Sequence, residues 1–257
     1  MSRKLSATII TLNEEKNIER CLISLRDIVD EVIVLDSFSE DRTVEICKSM
    51  GAIVVQRKWE GYAASKNFVN SLAKHDYIFS IDADESLDSK LQKAILEVKK
   101  SGFTDVYAVN RLTNYCGKWI KYSGWHPDIK TRIFPKERTK WAGAYVHEEL
   151  EIEGAFKTIL LEGNLLHYSY YNFNEHRVRA DKYSALTAKK MAEKGKKASL
   201  FKPYLSGLGR FIAMFLLKKG FLDGKMGFKI ALISAQSNIF KYKELRKINR
   251  EQRNRLK

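Results

Sequence analysis

Proline and cysteine are scarce in this chain, with three of each among 257 residues. So few prolines, with only 14 glycines, exclude collagen-like repeats and Pro/Gly-rich low-complexity linkers. Cys21, Cys47 and Cys116 are odd in number and lack metal-site spacing. That argues against a disulfide framework and for buried thiols in a reducing compartment, so the expected location is cytoplasmic. Long hydrophobic runs are missing too. The stretch from Leu5 to Leu12 is interrupted by Ser6, Thr8 and Thr11 and meets Glu14 and Glu15, which is too short and too polar for a signal-peptide core. The most apolar run, Phe211 to Leu217, is bounded by Arg210 and Lys218, whereas a span needs roughly 20 apolar residues. No membrane-crossing segment is expected.

What is present suffices for a self-supporting core. A composition of 44% hydrophobic and 30% charged residues places the chain among globular proteins. The net charge of +15 is unevenly placed: residues 1–173 hold 24 Lys and Arg against 25 Asp and Glu, and residues 174–257 hold 22 against 6. The entire excess therefore lies in the last third. A field of one sign on that scale implies a polyanionic partner, nucleic acid or an anionic membrane face.

Apolar periodicity supplies the organisation. Leu5 to Thr11 reads as a strand, and Asn13 offers an N-cap before an amphipathic helix carrying Ile18, Cys21, Leu22 and Leu25. Glu31 to Leu35 is a buried strand ending at Asp36, followed by Ser39 as cap of a helix with Val44, Ile46 and Cys47. Ala52 to Val55 and Tyr77 to Ile81 continue as strands, with helices over Ala63 to Ala73 and Leu87 to Lys100. This alternation specifies an α/β fold with a mostly parallel central sheet flanked by helices. After Val106 the pattern changes to aromatic-rich strand pieces (Val106 to Val109, Thr131 to Phe134, Leu160 to His167), which predict mixed sheet edges, and from Asn174 helical periodicity returns. The expected division is an α/β domain over 1–173, in halves 1–105 and 106–173. A basic helical extension over 174–257 follows.

Ligands of open α/β sheets bind outside the carboxyl ends of the strands, and here those ends carry bare carboxylates at Asp36, Asp82 and Asp84. Asp82-Ala83-Asp84, directly after Tyr-Ile-Phe-Ser-Ile, can set one oxygen on a hard divalent cation and another on a sugar hydroxyl; Mg²⁺ or Mn²⁺ then neutralises a diphosphate. The bland alternative is a solvated acidic turn capping the next helix. His167 offers an imidazole for the same ion or for a diphosphate, or is a satisfied core residue. Lys66 and Arg132 suit donor phosphates, Arg with a bidentate fork, or are surface cations. Trp125 and His126 form a sugar platform or part of the core.

Three segments together, Thr8-Ile9-Ile10-Thr11-Leu12-Asn13-Glu14, Asp36-Ser37-Phe38-Ser39-Glu40-Asp41-Arg42-Thr43 and Ile81-Asp82-Ala83-Asp84-Glu85, resemble the inverting family 2 glycosyltransferases of GT-A (nucleotide-diphospho-sugar transferase) fold. Trp125-His126-Pro127, Thr131 to Phe134, Val146-His147-Glu148, His167-Tyr168 and Lys219 to Gly224 are similar to the bacterial lipopolysaccharide core glucosyltransferases of the WaaE/KdtX type. The resemblance implies a UDP-sugar donor bound in a catalytic domain whose half 1–105 binds the donor and whose half 106–173 faces the acceptor, with Asp36 near the base or ribose, Asp82 near the ribose, Thr11, Asn13, Glu14 and Ser37 also binding the donor, and Asp84 on the metal. Phe38 stands where this family commonly has Gly, so the loop after the second strand is expected to differ in shape. The Gln-x-x-Arg-Trp signature of processive synthases is absent, which implies addition of a single sugar.

Inverting transfer is one displacement, and a carboxylate must take the acceptor's proton. Glu148 is the candidate base because it stands where the family places it, Glu149 is its rival, and both are also readable as surface charges. The basic tail sets Phe211, Ile212, Phe215, Leu216, Phe228, Ile230, Leu232 and Ile233 among Lys218, Lys219, Lys225 and Lys229, a pattern for an interfacial helix pair or for helices packed on the core. The expected activity is transfer of a hexose, glucose by resemblance, to a lipid-linked saccharide acceptor such as lipopolysaccharide core, at the inner face of a bacterial cytoplasmic membrane. Transfer to polyprenyl phosphate or protein is the enzymatic alternative. A nucleic-acid-binding protein is the alternative from another class, without a recognition motif to accompany the charge. A sugar nucleotidyltransferase needs a Gly-rich phosphate loop, and Thr8 to Asn17 has no Gly.

Overall fold

The computed structural model describes residues 4–143 and 148–255, the side chains of 254 and 255 excepted. Its strands are β1 (Leu5–Thr11), β2 (Glu31–Asp36), β3 (Ile53–Gln56), β4 (Tyr77–Asp82), β5 (Glu85–Leu87), β6 (Val106–Tyr115), β7 (Lys118–Trp119), β8 (Ile129–Pro135), β9 (Thr139–Ala142), β10 (Glu149–Ile152) and β11 (Thr158–Tyr170). The α-helices are α1 (Ile18–Leu25), α2 (Thr43–Ser49), α3 (Tyr62–Ser71), α4 (Ser89–Ser101), α5 (Phe173–Glu193), α6 (Lys202–Ile212) and α7 (Gly224–Arg255). The chain divides into two compact units. One runs to Leu112 and resumes over Asp128–Tyr168; the other comprises Thr113–Pro127 and the chain from Ser169 onward.

In the first unit, the sheet order is β3-β2-β1-β4-β8-β6-β11-β5. Strands β1 to β4 pair in parallel, whereas β8 runs antiparallel to β4 and to β6. The parallel part is apolar on both faces because helices cover both. Leu5, Ala7 and Ile9 join Phe79, Ile81 and the inner face of α1 in one core, while Ile33, Leu35, Ile78 and Phe134 join Val69 of α3 in the other. Alternate residues along one strand thus serve opposite layers. The two small polar side chains that break the apolar run of β1 are satisfied: Thr8 Oγ1 donates to Asn70 Oδ1 at 2.9 Å and Ser6 Oγ to Glu31 Oε2 at 2.7 Å.

Three local expectations need correction. Asn13 does not cap α1, which starts at Ile18; it sits at φ 55° in a loop. Ser39 does not cap α2 either, since Asp41 Oδ1 accepts the Thr43 N–H at 2.9 Å. The helix expected from Leu87 begins at Ser89, because Glu85 to Leu87 pair antiparallel with β11.

The cap of α4 is Asp88, whose Oδ1 accepts the Leu91 N–H at 2.8 Å. Its other oxygen accepts the backbone and side-chain N–H of Asn164, both at 2.9 Å. One carboxylate therefore ties helix α4 to strand β11. The adjacent Gly163 has φ +104°, a region that favours glycine.

The second unit is helical. Ser237 Oγ of α7 donates to Ala180 O at 2.9 Å and meets Ser184 Oγ at 2.6 Å on α5, while Asn238 Nδ2 donates to Ser206 O at 3.0 Å on α6. Trp125 stands edge-on to Tyr115 at 5.5 Å within an aromatic cluster that includes Tyr170 and His176, so it is part of this unit's core rather than an open sugar platform. His176 Nδ1 lies 2.9 Å from Tyr115 Oη, and burial, with Arg179 nearby, pushes its imidazole down to about 4. No helix among the described residues is long and apolar enough to cross a membrane.

A Gly163→Ala substitution puts its methyl 2.2 Å from Leu91 N and 2.7 Å from Asp88 Oδ1. With the backbone strain added, we expect a loss of about 1–3 kcal/mol or more. A lower Tm than wild type by calorimetry checks it, and an unchanged Tm would show that the α4–β11 junction yields freely.

Candidate active site

The carboxyl ends of β1 and β2 lie in register, Thr11 opposite Asp36, and the loops beyond them are tied together by their own polar side chains. Asn13 N–H donates to Ser39 Oγ and Asn13 Oδ1 accepts from Glu40 N, both at 2.8 Å. Glu14 N–H donates to Thr43 Oγ1 at 2.8 Å, and Glu15 N–H to Asp41 Oδ2 at 3.1 Å. Asp36 is fully buried. One of its oxygens accepts from Ser39 N at 3.0 Å and from Gln56 Nε2 at 2.9 Å, and the other accepts from Ser39 Oγ. Ser37 is half-buried and donates its N–H to Thr11 O at 2.9 Å. Phe38 adopts φ 64°, so the loop keeps the left-handed residue that Gly supplies elsewhere, at a backbone cost of about 1–2 kcal/mol.

At the end of β4 the chain turns through Ala83 and Asp84 into β5. Because β8 is antiparallel to β4, it brings Arg132 to the same end. Arg132 Nη2 lies 2.9 Å from Asp82 Oδ2 and 2.6 Å from Glu85 Oε1. Arg111 Nη1 approaches the same Glu85 oxygen at 3.6 Å. Glu85 Oε2 accepts the Asp82 N–H at 3.0 Å. From α3, Lys66 reaches in with Nζ 3.2 Å from Glu148 Oε1 and 3.6 Å from Asp82 Oδ1, over the Trp141 ring at 4.5 Å. Lys66 and Arg132 are both about 4% exposed. A merely solvated acidic turn is therefore excluded: Glu85 is buried, and Asp82 and Asp84, partly exposed, each have a cationic or imidazole partner.

The electrostatics follow from that packing. Burial raises the Asp82 carboxyl, but Arg132 and Lys66 outweigh it and hold the group well below the usual carboxylate range. Burial also raises Glu85, and the neighbouring Asp82 charge adds to this, so it stays above the ordinary value despite Arg132. Of the two, Asp82 is the one held low.

Asp84, two residues on, meets His167 of β11, with Oδ2 3.2 Å from Nε2. A carboxylate oxygen and an imidazole nitrogen are donors that Mn²⁺ accepts and, for the oxygen, Mg²⁺. Among the described residues, no group of three or more His, Cys, Asp or Glu is arranged to hold a metal.

The family description Glycosyl transferase family 2 matches residues 6–156, which contain these carboxylates and cations. The chain belongs to glycosyl transferase family 2. The match contains the whole Asp82–Arg132–Glu85–Lys66–Glu148 network, and the fold is the GT-A type, a mixed α/β sheet flanked by helices. This glycosyltransferase is 32% identical to an uncharacterized glycosyltransferase of Rickettsia typhi over 98% of the chain and 90% of the relative. It is 28% identical to the lipopolysaccharide core biosynthesis glycosyltransferase LpsC of Rhizobium meliloti, over 90% and 87% respectively. Among solved structures, glucosyl-3-phosphoglycerate synthase from Mycobacterium tuberculosis with Mn²⁺ and UDP aligns over 44% of each chain, at 26% identity and TM-score 0.36. S. aureus TarS aligns over 97% of this chain and 92% of its own, at 15% identity and TM-score 0.46.

Of the residues singled out in the sequence, Lys66, Asp82, Arg132 and Glu148 meet in one network of this glycosyltransferase, and Asp84 and His167 pair beside it. Thr11, Asn13, Glu14, Asp36 and Ser37 line the neighbouring loops. Glu149 instead is exposed on β10. Tyr145, Val146 and His147 lie outside the described residues. Sequence reasoning missed Glu85 and Arg111 as network members; Glu85 follows the two aspartates directly, but nothing in a lone sequence signals that it is the most buried of the three. It also missed Trp141 as the ring under Lys66.

Removing the guanidinium takes from Asp82 and Glu85 their nearest cation and leaves them only Lys66 and Arg111, each at 3.6 Å. An Arg132→Met variant should lose about 3–5 kcal/mol at pH 7. Deprived of that cation, the two carboxyls shift upward in the folded state, so their neutral form favours folding: stability is present at low pH and lost as pH rises. Wild-type Asp82, held low, behaves oppositely and loses its contribution as pH falls below about 4. Denaturant unfolding at pH 5 and pH 7 should show the variant's deficit shrinking at pH 5; an equal deficit at both would separate the loss from these carboxylates.

Proposed function

We propose that this family 2 glycosyltransferase moves a hexose, glucose, from UDP-glucose to a lipid-anchored saccharide such as lipopolysaccharide core, with inversion, at the inner face of a bacterial membrane. The observation that carries the site is Lys66, whose single ammonium lies between Asp82 on the donor side and Glu148. The LpsC likeness supports the acceptor class. Asp36, Ser37, Thr11, Asn13 and Glu14 bound the nucleoside pocket. Thr11 Oγ1 is buried without a hydrogen-bond partner, an unmet polar group of the kind a ligand satisfies. Trp141 Nε1 is another.

In the reaction, the acceptor hydroxyl oxygen forms a bond to the anomeric carbon as the carbon–oxygen bond to the diphosphate breaks. Glu148 takes the hydroxyl proton. Its half-buried carboxylate, about one-fifth exposed, is held toward the site by Lys66, whereas Glu149 faces solvent. The electron pair leaves with the diphosphate, whose growing charge meets the Lys66 ammonium in a nearly dry setting. Arg132 serves donor binding through Asp82, which it fixes in place and keeps ionised. Asp84 and His167 are the residues that would hold Mg²⁺ or Mn²⁺, and the bound ion supplies charge neutralisation of the pyrophosphate.

Two variants test this. Asp84→Ala should abolish Mn²⁺-dependent UDP binding in titration calorimetry, and binding that persists at the wild-type affinity would refute the ligand assignment. Glu148→Gln should keep UDP affinity yet lower transfer about 10²–10⁴-fold, with Glu149→Gln near wild type. Transfer by Glu148→Gln at the parent rate would move the base elsewhere.

A further inference from the structure

The apolar residues of the basic region divide into two sets, and helical phase separates them. Phe211, Met214 and Phe215 turn inward with Tyr115, Ile120 and Ile230 in a core cluster. Farther along the same side, α6 lies so close to α7 that a Cβ on Gly207 would stand 2.4 Å from Ile239 Cγ1. On the other side, Phe201, Tyr204, Leu205, Leu208, Ile212 and Leu216 recur at helical spacing, and all are exposed. Leu217, at 77%, is the barest large hydrophobic residue of the described chain and Phe201, at 70%, the next.

The stripe continues into the 3₁₀ turn Gly220–Asp223, where Phe221 and Leu222 are also exposed. That turn is not loose. Asp223 is buried, accepts the N–H groups of Lys121 and Tyr122 at 3.1 and 3.0 Å, and offers its carbonyl to Lys118 Nζ at 2.7 Å. Gly227 approaches Gly220 O so closely that a Cβ would lie 1.9 Å away. The protein holds these apolar side chains outward on a rigid support.

Charge surrounds them. From Lys194 to Leu222 the sequence has seven Lys and Arg and not one Asp or Glu, and Lys197, Lys202, Arg210, Lys218 and Lys219 are exposed. A contiguous apolar surface with a polar rim marks an interaction site. A second copy of the chain would bring the same positive charge against it. A nucleic acid would take the lysines but leave Leu205, Leu217 and Phe221 in water. An anionic lipid leaflet satisfies both sets, cations at the phosphates and apolar side chains at the acyl boundary.

We propose that the face from Leu200 to Leu222 is a membrane-docking surface that lies in the headgroup layer of an anionic leaflet without crossing it. The proposal deepens the reading of a lipid-anchored acceptor and rests on it for purpose only, because its test involves no catalysis. The full chain is floated with vesicles of phosphatidylethanolamine and phosphatidylglycerol, and separately with phosphatidylcholine alone. Wild type should float with the anionic vesicles, less so in high salt, and little with the zwitterionic ones. Leu205→Ser with Leu217→Ser should weaken anionic binding at least about tenfold, and Lys218→Gln with Lys219→Asn about tenfold, with Tm and Mn²⁺-dependent UDP binding unchanged. Phe201→Ser with Leu208→Ser repeats the test if the first pair misfolds.

Absence of wild-type binding to anionic vesicles, equal binding to both vesicle types, or serine pairs that bind like wild type would overturn the proposal. So would a wild-type dimer dissolved by the serine pairs without vesicle binding, or salt-sensitive RNA binding in place of lipid binding. Loss of UDP binding with vesicle binding intact would instead refute the donor site and leave this surface standing.

Discussion

A buried guanidinium clamped between a buried and a partly exposed carboxylate holds the rim of this sheet together. Asp82 and Glu85 sit three residues apart on either side of a tight turn, where their charges repel and burial disfavours both. Arg132 makes the turn possible, and it arrives there only because β8 runs antiparallel to β4, with Phe79 opposite Ile133. A buried ion pair of this kind is an uncertain source of net stability, since desolvation offsets most of the attraction. Its value here is positional: one ionised carboxylate is fixed at a strand end with little freedom to reorient, and Lys66 extends the same network to Glu148.

The polar residues that mark the family in the front loops have a structural occupation as well. Asn13, Glu15, Ser39, Asp41 and Thr43 exchange hydrogen bonds between the loops after β1 and β2, so two irregular segments become one wall. Asp36 belongs to that wall through Ser39 and Gln56. A ligand seated against this wall would meet backbone and side chains already placed, which lowers the ordering entropy that binding must overcome. The left-handed Phe38 shows how firmly the wall is set, because an L residue keeps a conformation that glycine adopts more easily.

The tail shows the same economy. Helix α6 and the π turn after it present one side to α7 and the other to solvent, and a single apolar-plus-basic composition serves both. Small residues mark the packed side: Gly207, Gly220 and Gly227 each stand where a methyl would collide. Large ones on the other side stay exposed to solvent.

The alternating elements, the two-faced parallel strands and the acidic strand ends were legible in the sequence, because side-chain period and burial follow from local pattern alone. Element starts were less so: Asn13 and Ser39 are good capping residues by type, but both are drawn into bonds between loops and cap neither α1 nor α2, while Asp88 caps α4. For the site, Asp82, Asp84, Lys66, Arg132, Glu148 and His167 were each recognisable as chemically capable. Which of them touch was decided by strand order, since Lys66 and Glu148 are distant in the chain and meet only when α3 lies under β9. Glu85 and Arg111 became part of the network, and the apolar tail divided into core and open surface, for the same reason: burial and charge pairing depend on neighbours that the chain supplies only after it has folded.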